Sequence, residues 1–595
     1  MTGSGRVVVV GAGPVGATAA LLLAAQGVAC TVLERRRSPQ THPAAHVLST
    51  RSLEIWREVG VERDVRRLSA PLYELRTIVY CTTLAGPELG RVPVLDLPDA
   101  QLDAIESISP TRAAHLPQNV LEPLLWRRLA DNDLIDFRPG CAYLSHTEDA
   151  DAVTVTVGDT ETAQQHSLPA RYVIAADGAG SPVRRALGVR MDGLVLQHMV
   201  SVHFAADLEA YRRQRRGPVI WTHTPKGLGT FIVHRAPEDL VFQIPYFPPF
   251  QSLDDFRDDV CRRRIVDAIG DPTIDVRVKS VQPWAMTAQV ADCYRVGRVF
   301  LAGDAAHRFP PTGGLGLNTG VADVHNLAWK LAWVLTGRAS DGLLDTYGQE
   351  RWPLGLTATA DSIANFDGLL DVVADLGMSR RVVRGLPLVL AGIPQWVPRR
   401  VVRAVIGALS ALGYQRLRLP ASSGRTGRRI RRRVAATIAK QGAHYRSWGR
   451  DLGAHYGAGA MVPDGLPAAV IDPEFYTPSV RAGGRLPHVW LGDGEKRLST
   501  HDLVAKDQLT LFVSTSAHAA WSAAVAHLPV AVRAVDEGDR RAWTAGLGRD
   551  QRAALLVRPD GHIAALLNES DAETTLRQAV LATKLTTLAY EGTTA

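Results

Sequence analysis

Cysteine is scarce. The 595-residue chain carries five, at Cys30, Cys81, Cys141, Cys261 and Cys293, none in Cys-x-x-Cys spacing. An odd number without paired spacing argues against a disulfide framework or a cysteine-based zinc site and fits a reducing compartment. Long apolar runs are missing too. The longest, such as Leu386–Val397, are broken by Pro and Gln and fall short of the ~18–20 residues a membrane helix needs. Met1–Arg6 lacks the charged-then-apolar pattern of a secretory leader. No internal repeat is found, and the only low-complexity tract is the arginine cluster Arg428–Arg433. The expectation is a cytoplasmic protein without integral membrane contact.

Acidic residues are missing from one stretch only. Between Gly377 and Arg450 there are 17 Lys and Arg and no Asp or Glu. The whole chain, with 67 basic and 60 acidic residues, carries +7, whereas the rest of it sits at −10. The positive charge is therefore one segment, and the sparse aromatic residues within it argue against a nucleic-acid surface. In Arg399–Leu419, arginines alternate with apolar pairs such as Val401-Val402 and Val405-Ile406, a pattern expected of helices packed on the remainder of the protein.

Apolar residues make up 46% and charged residues 21% of the chain, which excludes global disorder and gives two to four domains at roughly 100–200 residues each. Arg6–Val10 is a β-branched run, as in a buried parallel strand. It enters Gly11-Ala12-Gly13-Pro14-Val15-Gly16, then the helical run Ala17–Gln26 and a second strand, Cys30–Leu33, ending at Glu34. In such a βαβ unit Gly11 permits the tight turn, Gly13 lets backbone approach a pyrophosphate, and Gly16 lets helix pack on strand. The helix N-terminus stabilises phosphate charge, and Glu34 accepts ribose hydroxyls.

Further on, Leu121–Asn132 is predicted as a helix, and Ala152–Val157 and Tyr172–Ala176 as strands. The segments Val200–Phe204, Val219–Trp221, Thr230–His234 and Leu240–Ile244 suggest an inserted antiparallel sheet. A strand is expected at Arg298–Ala302, a helix at Val321–Thr336, strands at Leu509–Ser514, Val530–Val535 and Ala554–Arg558, and a helix near Glu573–Ala589.

Two more motifs complete the set: Tyr172-Val-Ile-Ala-Ala-Asp177-Gly178, and Gly297-Arg-Val-Phe-Leu-Ala-Gly303-Asp304-Ala-Ala-His307. The second continues through Pro311 to Gly316-Leu317-Asn318. With the first glycine motif these resemble, in order and along the whole chain, the FAD-dependent aromatic hydroxylases of the p-hydroxybenzoate hydroxylase fold. Ala45-His46 to Arg51, Glu54 and Arg57, with the C-terminal piece, are most similar to the phenol hydroxylase branch, which includes enzymes that tailor bulky aromatic natural products.

The resemblance implies a Rossmann-like α/β FAD-binding domain with an inserted antiparallel-sheet substrate domain, and a C-terminal thioredoxin-like α/β domain. The expected boundaries are 1–190 with 284–400 for the first, 191–283 for the second with a part from 70–110, a basic helical connector at 401–450, and 451–595 for the third. Lacking Cys-x-x-Cys, that last piece is expected to be structural or an oligomerisation module; a homo-oligomer is left open.

The resemblance further implies NADPH or NADH as reductant, O2 and a small aromatic substrate, phenolic or a polycyclic natural product, hydroxylated through a flavin C4a-hydroperoxide. The pyrophosphate falls to Gly11, Gly13, Pro14, Val15 and Gly16, and the adenosine ribose to Glu34. FAD and NAD(P)H fall to Asp177 and Gly178, the ribityl chain to Gly303 and Asp304, and the flavin side to Gln118. The N–H groups of Gly316, Leu317 and Asn318 would lie near the pyrimidine carbonyl. Ala44 stands where the family commonly has Arg, so a phosphate or NAD(P)H contact is either missing or supplied by Arg35, Arg51 or Arg112. The Pro311 carbonyl, His46, His223, His234 and Tyr246 are candidates to sit by the substrate hydroxyl. Trp221, Phe231, Phe242, Tyr246, Phe247 and Trp284 are candidates to wall the pocket. No metal ligand set is expected. The alternatives are another oxidation on the same fold, or a flavin- and aromatic-binding protein without turnover. The absent WxWxIP segment argues against a halogenase, and the absent second GxGxxG against a two-nucleotide Baeyer–Villiger enzyme.

Overall fold

The computed structural model describes residues 7–381, 414–492, 497–526, 528–535, 554–567 and 572–582, with isolated positions between 384 and 408. The first sheet has six strands in the order Arg295–Val296, Val299–Leu301, Tyr172–Ala175, Val7–Val10, Cys30–Glu34 and Ile135–Pro139. All neighbours are parallel except the first pair. Val7, Val8 and Val9 are fully buried because this strand is paired on both edges and covered on both faces, which explains the continuous β-branched run. Helix Pro14–Ala25 packs over it.

The second sheet has eight strands, ordered His307–Arg308, Arg277–Ala291, Met191–Ala205, Asp239–Tyr246, Gly227–Arg235, Val219–Thr224, Thr77–Cys81 and Glu88–Pro93. Its neighbours are antiparallel except Val219–Thr224 beside Thr77–Cys81. The expected boundary at 283 falls inside the strand Arg277–Ala291. That strand and Met191–Ala205, each 15 residues long, reach from the sheet back to the flavin-motif loops.

Helix Leu315–Leu335 starts six residues before the expected Val321. Gly313 and Gly314 take φ of 104° and 64°, left-handed values that swing the chain into its first helical turn. Its far end carries Trp329 and Trp333, packed edge-to-face at 4.9 Å, into the core of a third sheet. That sheet is ordered Val530–Val535, Leu509–Ser514, Ala554–Val557, Ile563–Leu567, with the first pair parallel and the others antiparallel, the thioredoxin-like arrangement. Helix Ala572–Ala582 follows; the rest of the expected Glu573–Ala589 lies outside the described residues.

The basic stretch meets acids of its own chain. Arg380 pairs with Asp371 at 2.7 Å, Arg384 with Asp367 at 2.9 Å and Arg433 with Asp375 at 3.1 Å, all on helix Gly342–Asp375. Helix Arg425–Ala439 buries Val434 and Ile438 against Ile78, Tyr80 and Leu369. Arg399, Val405 and Ile406 lie outside the described residues. None of the five cysteines is in a disulfide. Among the described residues no helix is long and apolar enough to cross a membrane.

Candidate active site

The first glycine motif separates glycines that serve the fold from one that does not. A Cβ on Gly11 would strike the Ala176 carbonyl, and one on Gly16 would strike the Gly11 carbonyl. Gly13 has nothing within 4 Å. Its bareness serves no packing in the protein, and the open space above it suits a closely approaching phosphate. Glu34 accepts from the Ala12 N–H at 3.0 Å and from the Arg36 N–H at 2.9 Å. Arg36 also reaches Glu122 at 3.0 Å, and Gln118 donates to the other Glu122 oxygen at 2.6 Å. The charge beside Glu34 is therefore Arg36, two positions on; Arg35 is exposed and makes no such pair. Arg112 pairs with Glu106 at 3.0 Å at the rim.

Asp304 lies at the next strand end and faces a cavity of about 1690 Å3. Among the described residues no protein group hydrogen-bonds to its carboxylate, and the surrounding protein raises its pKa. An acid so placed suits ligand hydroxyls. The turn behind it is fixed from below. Asp323 accepts from His307 Nε2 at 2.6 Å, from the Gly303 N–H at 3.2 Å and from Arg351 Nε at 2.8 Å. Asp177 does not reach the cavity. One of its oxygens accepts from the Val183 N–H at 3.1 Å, while the other is buried without a partner.

Pro311, Gly316, Leu317 and Asn318 line the cavity where helix Leu315–Leu335 begins. Its first N–H groups have no intrahelical partner and carry the positive end of the helix dipole. The Pro311 carbonyl accepts from the Gly314 N–H at 3.1 Å, which closes the turn and leaves its second lone pair. The side chain of Asn318, unremarked in the sequence, clamps this turn to the 45–50 loop. It accepts from the Ser49 N–H at 2.9 Å and donates to the Val47 carbonyl at 3.0 Å.

The inserted sheet provides the far wall. Trp221, Trp284 and His223 line it. Three other expected wall residues do not: the rings of Phe231 and Phe242 pack, tilted, at 4.6 Å inside the sheet's own core, and Phe247 joins a separate cluster with Phe250. Tyr246 is corrected likewise. It packs between His198 and Phe256 at 5.8 Å from each, because the strand's alternation turns it away from the cavity.

His46 and His115 line the cavity and His234 lies behind them, 5.1 Å from His46 between ring centroids. His46 and His115 approach at 3.2 Å through Nδ1, and both nitrogens of His234 are buried without partners. Among the described residues this is the one grouping of three metal-ligating side chains, its nitrogens spread to 4.8 Å. Metal–nitrogen bonds of about 2.0–2.1 Å would need N···N of roughly 3.3 Å, close to the 3.2 Å of the His46–His115 pair. Burial lowers the pKa of His46 and of His223 to about 4. Both are therefore neutral near pH 7, weak as bases but able to hydrogen-bond.

A family model of FAD-binding domains matches residues 5–362, and one of the C-terminal domain of aromatic-ring hydroxylases matches residues 479–584. The chain belongs to the FAD-dependent aromatic-ring hydroxylases. It is 32% identical over 580 residues to a 2,4-dichlorophenol 6-monooxygenase of Cupriavidus pinatubonensis, covering 94% of this chain and 92% of the relative. It is also 32% identical to the tetracenomycin A2 monooxygenase-dioxygenase of Streptomyces glaucescens, with the same coverage. Among solved structures, the flavin-dependent monooxygenase PieE in complex with FAD and substrate superposes with a TM-score of 0.85 at 31% identity, over 97% of this chain and 99% of that one.

As an aromatic-ring hydroxylase the chain is a monooxygenase that uses FAD, with NADPH or NADH as the reductant in this family. The bare Gly13, the unpartnered Asp304 and the free helix N-terminus form a set that fits that cofactor. Sequence reasoning missed Arg36, which its spacing from Glu34 signals, and His115. It also missed Tyr80 and Tyr445, which line the cavity together though 365 positions apart.

Proposed function

We propose that this hydroxylase acts on a bulky, polycyclic phenol. The observation that carries the reading is the cavity. At about 1690 Å3 it exceeds the ~300–1,000 Å3 of an ordinary small-molecule pocket, and it runs from Asp304 and the Pro311–Asn318 turn to Trp221 and Trp284 on the sheet. That span has room for the ring end of the cofactor and for several fused rings. The relative that acts on tetracenomycin A2 and the dichlorophenol relative are matched equally well, and the size of the cavity favours the larger substrate class.

When bound, FAD supplies reductive activation of O2 and delivery of one oxygen atom to the ring. In this reading Gly13 admits the pyrophosphate, Glu34 accepts ribose hydroxyls on its second lone pairs, and Asp304 accepts hydroxyls of the ribityl chain. The N–H groups of Gly316, Leu317 and Asn318 face the pyrimidine carbonyl, and Gln118 flanks the flavin side. The Pro311 carbonyl accepts the substrate phenol O–H and draws electron density into the ring. His46 and His223 orient that oxygen as neutral partners, and the aromatic walls exclude water. The test is a panel of one- to four-ring phenols scored for stimulated NAD(P)H oxidation and a product heavier by one oxygen atom. Coupled turnover of tri- and tetracyclic phenols above that of phenol itself supports the reading; coupled turnover of monocyclic phenols alone overturns it.

A further inference from the structure

Tyr80, Trp221 and Tyr445 meet at the sheet end of the cavity. The Trp221 Nε1–H donates to Tyr445 Oη at 2.9 Å, and the Tyr80 and Tyr445 hydroxyls are 2.7 Å apart. The group holds three protons on nitrogen or oxygen and makes two contacts. Each contact uses one proton, so one hydroxyl proton is left without an acceptor among the described residues. The indole N–H only donates, so the spare proton is on a tyrosine. Tyr80 is 1% exposed, stacked beside Trp221 at 6.0 Å and beside His223 at 6.2 Å. Tyr445 is partly open and lines the cavity, its ring stacked on His444 at 4.0 Å. Room for an acceptor therefore exists at Tyr445, with Tyr80 donating inward to it. Two donors received on one oxygen polarise the remaining O–H and strengthen it.

We infer that Tyr445 is a specificity-determining hydrogen-bond donor for a neutral carbonyl oxygen on the aromatic substrate, one that selects ketone- or quinone-bearing rings. This rests on the reading of the cavity as a polycyclic aromatic pocket and narrows it. The neutral class follows from the surroundings. The three side chains sit among Ile78, Leu228 and Leu369, where an anion would lose its hydration without a cation to replace it. Burial keeps the Tyr445 hydroxyl protonated, its pKa raised from 10.0, so it donates at every working pH.

The test titrates the FAD-loaded enzyme with 2-hydroxyanthraquinone and with 2-hydroxyanthracene, and reads binding from the change in flavin absorption. The wild type is expected to prefer the quinone, and Tyr445→Phe to cut that preference by about fivefold to twentyfold, the effect of one hydrogen bond. Tyr80→Phe and Trp221→Phe, which each remove one polarising donor, are expected to cut it by less. An unchanged preference in Tyr445→Phe overturns the assignment, and so does a larger effect from Tyr80→Phe. If both rings bind and stimulate NAD(P)H oxidation while Tyr445→Phe changes nothing, the donor role alone falls. If neither ring binds the wild type, the polycyclic pocket and the donor role fall together.

Discussion

Arg558, at the end of a strand of the C-terminal sheet, forks onto Glu350 in the first third of helix Gly342–Asp375. Nη1 reaches Oε1 at 2.7 Å and Nη2 reaches Oε2 at 2.9 Å, with both side chains fully buried. Lys330 reaches the same carboxylate at 2.8 Å from helix Leu315–Leu335. One carboxylate thus ties the C-terminal sheet to the helix whose other end forms the active-site turn.

Arg558→Ala leaves Glu350 and Asp560 buried with less positive charge. Breaking a buried pair from one side costs about 3–5 kcal/mol. The expected outcome is a lower denaturation midpoint, with part of the loss recovered in the Arg558→Ala, Glu350→Gln double variant. Denaturant unfolding of the four proteins of that cycle checks it. A midpoint unmoved in the single variant would show that the two elements are held together by apolar contact alone.

Asp304→Ala is expected to fold normally and to purify with little flavin. Because no described residue hydrogen-bonds to the Asp304 carboxylate, its removal breaks no hydrogen bond among them, and the melting temperature of the flavin-free form should stay close to that of the wild type. The ratio of flavin to protein absorbance gives the occupancy. Full occupancy would remove Asp304 from the cofactor site.

Alanine at two glycines of one motif should act differently. At Gly13 the new methyl meets nothing in the protein, so Gly13→Ala should keep its fold and lose FAD affinity by tenfold or more, an order-of-magnitude expectation for backbone held off a phosphate. At Gly16 the methyl meets the Gly11 carbonyl, so Gly16→Ala should lose stability as well. Circular dichroism melts of the flavin-free proteins separate the two effects.

Acid should destabilise the protein before its ordinary carboxylates titrate. Burial holds His46 and His223 at about 4 and His444 at about 3, against 6.5 for an exposed imidazole. Between pH 6.5 and about 4 the unfolded chain binds protons that the folded chain refuses, so stability is full above 6.5 and falls with pH across that window. Asp451, raised by burial to about 6, works in the opposite sense: its contribution is full below 3.8 and lost as pH rises through 6. Of these four groups the three imidazoles outweigh the one carboxyl, and together they contribute an uptake of more than one proton on unfolding near pH 5. The slope of unfolding free energy against pH measures it; a flat slope from 7 to 4.5 would contradict the buried, neutral state of these histidines.

The sequence by itself determined the nucleotide-binding half. The β-branched run, the spacing of Gly11, Gly13 and Gly16, and the acid ending the second strand are local patterns, and each constrains a backbone turn within a few residues of itself. Three of the four strands of the C-terminal sheet were legible for the same reason, as short apolar runs bounded by turns, whereas the fourth, Ile563–Leu567, emerged only in the structure. The substrate side was not. Trp221, Phe231, Phe242 and Tyr246 look alike along the chain, and only strand register decides which of them faces the cavity and which the sheet's core. The tertiary structure alone brought His115 to His46 and Tyr445 to Tyr80, across 69 and 365 positions. It also supplied the partners of the basic stretch, whose packing on its own chain the sequence already suggested: Arg380, Arg384 and Arg433 meet Asp371, Asp367 and Asp375. A motif is legible when its parts are covalently close; a pocket is made where distant segments bury their apolar faces together, and that packing is settled only once the whole chain has folded.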